Sequence, residues 1–300
     1  MNTLIKDNSI SSRILDIMVY TFLTGLLLLT ITPVLHIISM SLSSSIAIDC
    51  GRVGLWPVEF SVRSYQMIWN AGQVPRAFLN SIFYMILGTC INMIMTVLLA
   101  YPLSKKDLPL RPFYMTVIII TMFFGGGLIP SFLLVRNLGI YNTVWALVLP
   151  GAISAMNMII MRTFFQGLPL ELEESAHPDG AGQLRILVQI ILPLSTASLA
   201  TIGMRYAVGH WNSWFSALIY LRDAVKYPLQ LVLREIVMQN QMAHELAQQG
   251  VTSGLELINY ISVEGLKYAT LVISIIPMLM IYPFAQKYFI KGALLGSLKG

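Results

Sequence analysis

Residues 173–194 read EESAHPDGAGQLRILVQIILPL: two glutamates, an aspartate, a proline and a spaced glycine pair, then a close on Ile-x-Leu-Pro. Glu171, Glu173 and Glu174 follow Pro169, where carboxylates complement the positive end of a helix dipole, so a short helix is expected there. His177-Pro178-Asp179-Gly180 suits a type I turn with Pro at its second and Gly at its fourth position. A proline also removes the backbone bond to the residue four back, so the short helix should end near Ala176 or His177. Leu184, Leu187, Val188 and Ile191 then recur at helical spacing, with Arg185 and Gln189 opposite. That pattern predicts a second helix, along a membrane or packed on a bundle, with Pro193 at the entry to the next apolar run.

The sequence around this stretch is apolar. The chain has 300 residues, 56% hydrophobic and only 11% charged, with mean hydropathy +0.72. Soluble domains carry about 25% charged residues, so the composition predicts an all-α polytopic membrane bundle. Six stretches approach the roughly 20 apolar residues that a membrane helix needs, at about 14–40, 79–102, 112–130, 142–164, 194–219 and 266–290. An even number puts both termini on one side. With the termini inside, the inner segments hold ten Lys and Arg and the outer ones eight, two of the outer segments being long. Long loops weigh little in the positive-inside rule, so cytoplasmic termini are expected. The first apolar stretch exceeds a signal-peptide core of roughly 7–15 residues and reads as an uncleaved span.

The net charge of +5 is dispersed between apolar runs and forms no stripe, which argues against nucleic acid. Cys50 and Cys90 have neither disulfide nor metal-ligand spacing and read as free thiols. The outer loop after the first span carries Trp56, Tyr65 and Trp69, as expected at a lipid interface. The second outer segment contains QLVLREIVMQNQMAHELAQQG, an extramembrane helix ended by Gly250. Gly125 to Gly127 and Pro130 should break the third span, with a short helix over 131–138 ended by Gly139. No G-x-x-x-x-G-K-[ST] follows, so the glycines read as a hinge rather than a phosphate site. Asn142 or Thr143 is expected to cap the fourth span.

Ionisable residues inside spans are costly and are functional candidates by default, which singles out Arg205 and His210. His210 belongs to GHWNSWF, whose Trp211, Asn212 and Trp214 offer the flat faces and amide that sugar rings favour. An outer aromatic belt with helix–helix hydrogen bonds explains the same residues. His36 and Asn157 are expected to hydrogen-bond between helices. No nucleophile–base set, carboxylate pair or metal cluster stands out, so no catalytic centre is expected. A stand-alone ion-coupled secondary transporter, the runner-up, commonly shows two similar halves with matching interrupted helices. The sequence shows no such repeat.

The spacing Glu174-Ser175-Ala176, three residues, Gly180, nine residues, Ile190, one residue, Leu192-Pro193 resembles the EAA loop of permease subunits of ATP-binding-cassette importers, E-A-A-x3-G-x9-I-x-L-P. Segments 80–111, 125–153, 159–169, 206–221 and 291–300 look like the carbohydrate-importer branch. GGGLIP and GHWNSWF look most like permeases for complex oligosaccharides. The resemblance implies the type I ABC importer permease fold, a single transmembrane domain over 1–300 with a cytoplasmic coupling loop at 165–194 and an extracytoplasmic segment at 220–265. It implies a non-enzymatic subunit in a bacterial inner membrane, both termini cytoplasmic, forming half of a carbohydrate pathway.

The partners it implies are a second, related permease in a heterodimer, a cytoplasmic ABC ATPase dimer, an extracytoplasmic solute-binding protein, the sugar and membrane lipid. ATP and Mg would sit on the partner ATPase, with no cofactor bound directly. Carried onto this sequence, the coupling residues are Glu173, Glu174, Ser175, Ala176, Asp179 and Gly180. The pathway candidates are Arg205, His210, Trp211, Asn212 and Trp214. Two positions depart from the pattern. Ser175 replaces the first alanine, and Pro178 stands where the family usually has an aliphatic residue, which is why a shortened coupling helix is expected.

Overall fold

The computed structural model describes residues 10–176, 178, 181–248, 264–283 and 286, and all regular structure among them is helical. The chain divides into two compact units, Met1–Ala71 with Ile236–Ile273, and Gly72–Glu235 with Ser274–Gly300.

The first unit begins with α1, Ile10–Ser41, which is apolar all round and leaves Ile14 through Leu29 exposed. A helix with no polar face has to be covered by lipid or protein. Its last turn switches to serines that hold the following loop. Ser39 Oγ donates to the Leu55 carbonyl at 2.6 Å, and Ser43 Oγ accepts from the Val58 amide at 3.0 Å. His36 Nδ1 meets the Gly54 carbonyl at 2.8 Å, a loop partner rather than the neighbouring helix expected. Two short helices follow, α2 at Ser45–Asp49, capped by Ser44, and α3 at Arg63–Ala71. Trp56 and Trp69 stay exposed on this loop.

The second unit is built on α4, Gln73–Ser104. Its polar and small residues point inward: Ser81, Tyr84, Gly88, Asn92 and Thr96 are buried, while Leu79, Phe83, Ile86, Ile94 and Leu98 are exposed. That is the pattern of a helix whose outer surface meets lipid and whose inner face packs by close approach and hydrogen bonds. α5 (Arg111–Phe123) and α6 (Leu128–Asn137) follow, bent by 114° at the three glycines. The third expected span therefore stops at Phe123 and does not run to 130. The short helix after the glycines is present, ended by Gly139 with φ +70°.

The fourth expected span, 142–164, is also discontinuous: α7 (Trp145–Val148), an irregular stretch through Pro150 and Gly151, then α8 (Ala155–Gln166) capped by Ser154. Asn142 does not cap it. With φ +60°, it turns its side chain towards residues 222–223 instead. The loop helix α9 is Glu171–Glu174, and α10 runs over Gln183–Leu194. An 86° bend leads into α11, Thr196–Trp211, so the fifth expected span starts at this corner and breaks again at Asn212–Trp214 before α12, Phe215–Tyr220. α13, Leu229–Gln248, is a helix where one was expected, and the expected terminal Gly250 lies outside the described residues. The last described helix is α14, Glu264–Pro283.

By length and apolarity, α1, α4 and α14 could each cross a membrane, and the bent pairs α5/α6 and α10/α11 do so only when taken together. The core of the second unit lies where α4, α8, α10 and α11 meet, around Tyr101, Met158, Met161, Phe165, Ile186, Ile191 and Ile202.

Candidate functional site

α9 is one acidic turn. The Ser175 amide reaches the Glu171 carbonyl at 3.0 Å, and the Ala176 amide closes a tighter last turn on Glu173, also at 3.0 Å. The helix thus ends within two residues of the expected point, ahead of Pro178. The expected turn at 177–180 falls largely on His177, Asp179 and Gly180, which lie outside the described residues. The chain comes back to the body at Ala181, whose amide donates to the Ala176 carbonyl at 3.3 Å.

The two glutamates diverge. Glu174 is exposed. Glu173 is ion-paired with Lys105, the residue after the end of α4, and the side chains of Lys105 and Glu173 are only 23% and 13% exposed. The Lys105 ammonium also lies 4.4 Å over the Tyr101 ring. The Tyr101 hydroxyl donates to Gln183 Oε1 at 2.9 Å, at the start of α10. Arg111 and Arg162 place their Nε on the Leu103 carbonyl at 3.0 and 2.9 Å. They satisfy one of the carbonyls that a helix end leaves open and favour its negative pole. Between this helix end and the loop lies a cleft of about 1080 Å³.

The buried face of α10 matches the expected one at Leu187 and Ile191 and differs elsewhere. Ile186, Leu187 and Ile191 are buried, while Leu184 and Val188 are 68% and 53% exposed. Residues 187–191 form a π-turn, which widens the helix and displaces side-chain register against a 3.6 repeat. Arg185 and Gln189 do lie outside, bonded to each other at 2.9 Å.

Further along α4 a polar lock spans three elements. Asn92 Nδ2 donates to the Gly151 and Ala152 carbonyls at 2.6 and 3.0 Å, both freed by the break before α8. Its Oδ1 accepts from His210 Nε2 at 2.6 Å. One turn on, the Tyr206 hydroxyl accepts from the Ser154 amide at 3.1 Å and contacts Thr96 Oγ1 at 2.7 Å. Irregular backbone within a membrane is tolerated only when its polar groups are satisfied by protein or a wet cavity, and this lock supplies the partners. Gly88 makes room for it, since a Cβ there would fall inside the His210 imidazole.

Of the pathway candidates, His210 belongs to this lock, and Trp211 is core, 1% exposed, with Nε1 on the Ser274 carbonyl at 3.0 Å. Arg205 and Asn212 are exposed on the outer surface of the unit. Trp214 is half-buried, with the Arg234 guanidinium 3.7 Å above its ring. Asn157 is buried, but its Oδ1 has no hydrogen-bond partner, contrary to the interhelical role expected. Sequence reasoning passed over Asn92, Thr96 and Tyr206. The available signal was the run Ser81, Tyr84, Gly88, Asn92, Thr96 at helical spacing inside an otherwise apolar span.

At the opposite end of α4 a clasp holds residues 222–229. Asn142 Nδ2 and Lys226 Nζ both donate to Asp223 Oδ2, at 2.8 and 2.9 Å. The Lys226 hydrogen bond first, then that of Asn142, holds the Asp223 carboxyl below its ordinary range. From α4, Asn80 donates to the Val225 carbonyl at 2.8 Å, Tyr84 OH donates to the Lys226 carbonyl at 2.8 Å, and Ser81 Oγ accepts the Leu229 amide at 2.8 Å.

No family model matches the chain. Along nearly its whole length it is similar to two Bacillus subtilis proteins. One is the polygalacturonan/rhamnogalacturonan transport system permease protein YtcP, 40% identical over 290 residues, 96% of this chain and 99% of that protein. The other is protein LplC, 38% identical over 294 residues, 98% and 97% of the two chains. A more distant relative is the arabinooligosaccharides transport system permease protein AraQ of Halalkalibacterium halodurans, 25% identical over 223 residues, 74% of this chain and 73% of that one. The structure superposes with TM-score 0.83 and 35% identity on a chain from the crystal structure of a bacterial ABC transporter involved in the import of the acidic polysaccharide alginate, covering 94% of this chain and 98% of that one. The acidic loop, the inward-turned polar face of α4 and this likeness converge: the chain belongs to the permease family of ABC sugar importers and is a membrane-spanning subunit of an ATP-driven carbohydrate importer.

Proposed function

We propose that the chain lines one half of an inner-membrane pathway for an acidic oligosaccharide, paired with a related permease and fed by an extracytoplasmic solute-binding protein. Residues 165–194 face the cytoplasm with both termini and receive force from an ABC ATPase dimer, which alone holds ATP and Mg. The observation that carries this reading is the build of the loop: one exposed acidic turn joined to a second helix wedged in the core of the second unit. Such a part can be pushed from outside and move the bundle as one body, and Glu174, Ser175, Ala176, Asp179 and Gly180 are the residues assigned to the contact. Support for the substrate class comes from the polygalacturonan and rhamnogalacturonan in the name of YtcP and the acidic polysaccharide alginate imported by the solved transporter. Among the pathway candidates, Arg205 and Asn212 have the exposure needed to meet a partner permease or sugar.

The test is co-expression with a candidate partner permease and ATPase, followed by ATPase assays with the binding protein and galacturonate or alginate oligomers. Stimulation by the loaded binding protein is expected. A purified complex whose ATPase activity ignores every acidic oligomer while responding to a neutral one would remove the substrate class, and failure of any ATPase to co-purify would remove the coupling role.

A further inference from the structure

We propose that Glu173 is not a docking acid but a positioning residue that, with Lys105 and Tyr101, fastens the loop to α4 and makes α4 the element the ATPase drives. The inference rests on the reading of 165–194 as the ATPase-coupling loop.

Two residues one helical turn apart at the end of α4 hold both arms of the loop. Lys105 takes Glu173 on the first arm, and Tyr101 takes Gln183 on the second. The Lys105 ammonium sits over the Tyr101 ring, so the two grips support one another. Glu173 is turned inward and largely covered, whereas its neighbour Glu174 points out and stays free for a partner. An ion pair shielded from water on this scale is screened little by salt, and removing either partner leaves the other charge covered and uncompensated.

What the grip connects to gives it a purpose. α4 is a single helix from Gln73 to Ser104. From Tyr101 to Asn80 it covers about 32 Å at 1.5 Å per residue, close to the roughly 30 Å of a bilayer core. Along that length it carries Thr96 against Tyr206, Asn92 against His210 and the 151–152 carbonyls, and then Tyr84, Ser81 and Asn80 against residues 225–229. A displacement delivered at Lys105, and held past Pro102 by the Tyr101 grip, enters one continuous helix that reaches the helix break in the middle and the clasp at the far end. Without the Lys105–Glu173 pair the acidic turn would lose its ion pair to α4, and among the described residues the loop would keep Gln183 on Tyr101, Gln166 on the Ser104 carbonyl at 3.3 Å and its apolar packing, so its motion would reach α4 incompletely.

The test is a charge-swap cycle on the whole transporter in proteoliposomes, measuring sugar imported per ATP hydrolysed together with retention of the ATPase on the permease. Lys105→Glu and Glu173→Lys alone should each lower sugar imported per ATP by about fivefold or more, the lower end of typical coupling between sites. The ATPase should remain bound in both. The double swap Lys105→Glu/Glu173→Lys should recover most of the loss, which also separates the effect from misfolding of a single variant. Single variants with wild-type coupling would overturn the proposal. So would singles that shed the ATPase without rescue by the swap, because Glu173 would then act at the docking surface. If the ATPase fails to bind the unmodified chain, the underlying reading falls and the fastening role with it.

Discussion

Replacing Asn92 by alanine removes the centre of the polar lock. The amide makes three hydrogen bonds, two to the Gly151 and Ala152 carbonyls and one from His210. Hydrogen bonds between membrane helices average about 0.6 kcal/mol each, so the lost bonds alone come to about 2 kcal/mol. The groups left without partners cost more. Asn92 is 1% exposed, so truncation strands two backbone carbonyls and an imidazole N–H in a buried place. Each such group costs about 1–3 kcal/mol when water cannot replace its partner. Partial relaxation and one trapped water bring the expected loss to about 3–5 kcal/mol. At about 2 °C per kcal/mol for a chain of this size, the midpoint of thermal unfolding in detergent should fall by about 6–10 °C. Asn92→Asp keeps the acceptor for His210 but loses both donors, and should destabilise at least as much as alanine at neutral pH. An Asn92→Ala midpoint within about 1 °C of the unmodified chain would refute the reasoning, since it would mean that the break at 149–154 is satisfied by something other than this side chain.

Two further outcomes follow from neighbouring features. Gly88→Ala places its Cβ inside the His210 ring, so it should destabilise by about 1–3 kcal/mol. In a His210→Ala background the same change should cost little, which a double-mutant thermal series checks. Asp223 titrates below its ordinary range because Lys226 and Asn142 donate to its ionised form. A depressed native value means the clasp's stabilising contribution is fully present above the unfolded carboxylate value and is lost as pH falls through the lower native one. Asp223→Asn should flatten the acid limb of the stability profile, as followed by thermal unfolding between neutral pH and pH 3.

The acidic turn, its early stop before Pro178, the glycine hinge with its short following helix, and the helix over 229–248 were all legible in the sequence. Each is a local consequence of backbone chemistry: dipole complementation, a missing N–H, a left-handed residue, a helical repeat. The spacing of the loop marks it out by its match to a pattern, but the direction of each side chain was not legible. Glu173 and Glu174 are chemically identical neighbours, and it is the distant Lys105 that turns one inward while the other stays exposed. On α10 the helical repeat placed Leu187 and Ile191 correctly on the buried face but also Leu184 and Val188, which are exposed, while Ile186 is buried and the π-turn at 187–191 shifts the register past it. Apolarity counted over windows also merged what the backbone divides. Pro150 and Gly151 break one apolar run, and Asn212 to Trp214 break another, yet both runs pass as spans by composition. Asn142 looked like a cap and became a clasp because the residues it serves lie about eighty positions away.

Assembly of the chain with a partner permease, an ABC ATPase and a binding protein in sealed vesicles permits one decisive reading: accumulation of labelled acidic oligosaccharide with and without ATP, for the unmodified chain and for Glu174→Arg. Uptake should require ATP, ignore imposed proton or sodium gradients, and fall at least about fivefold in the variant. Uptake by the chain alone on an ion gradient, or ATP-driven uptake untouched by Glu174→Arg, would contradict coupling through this loop.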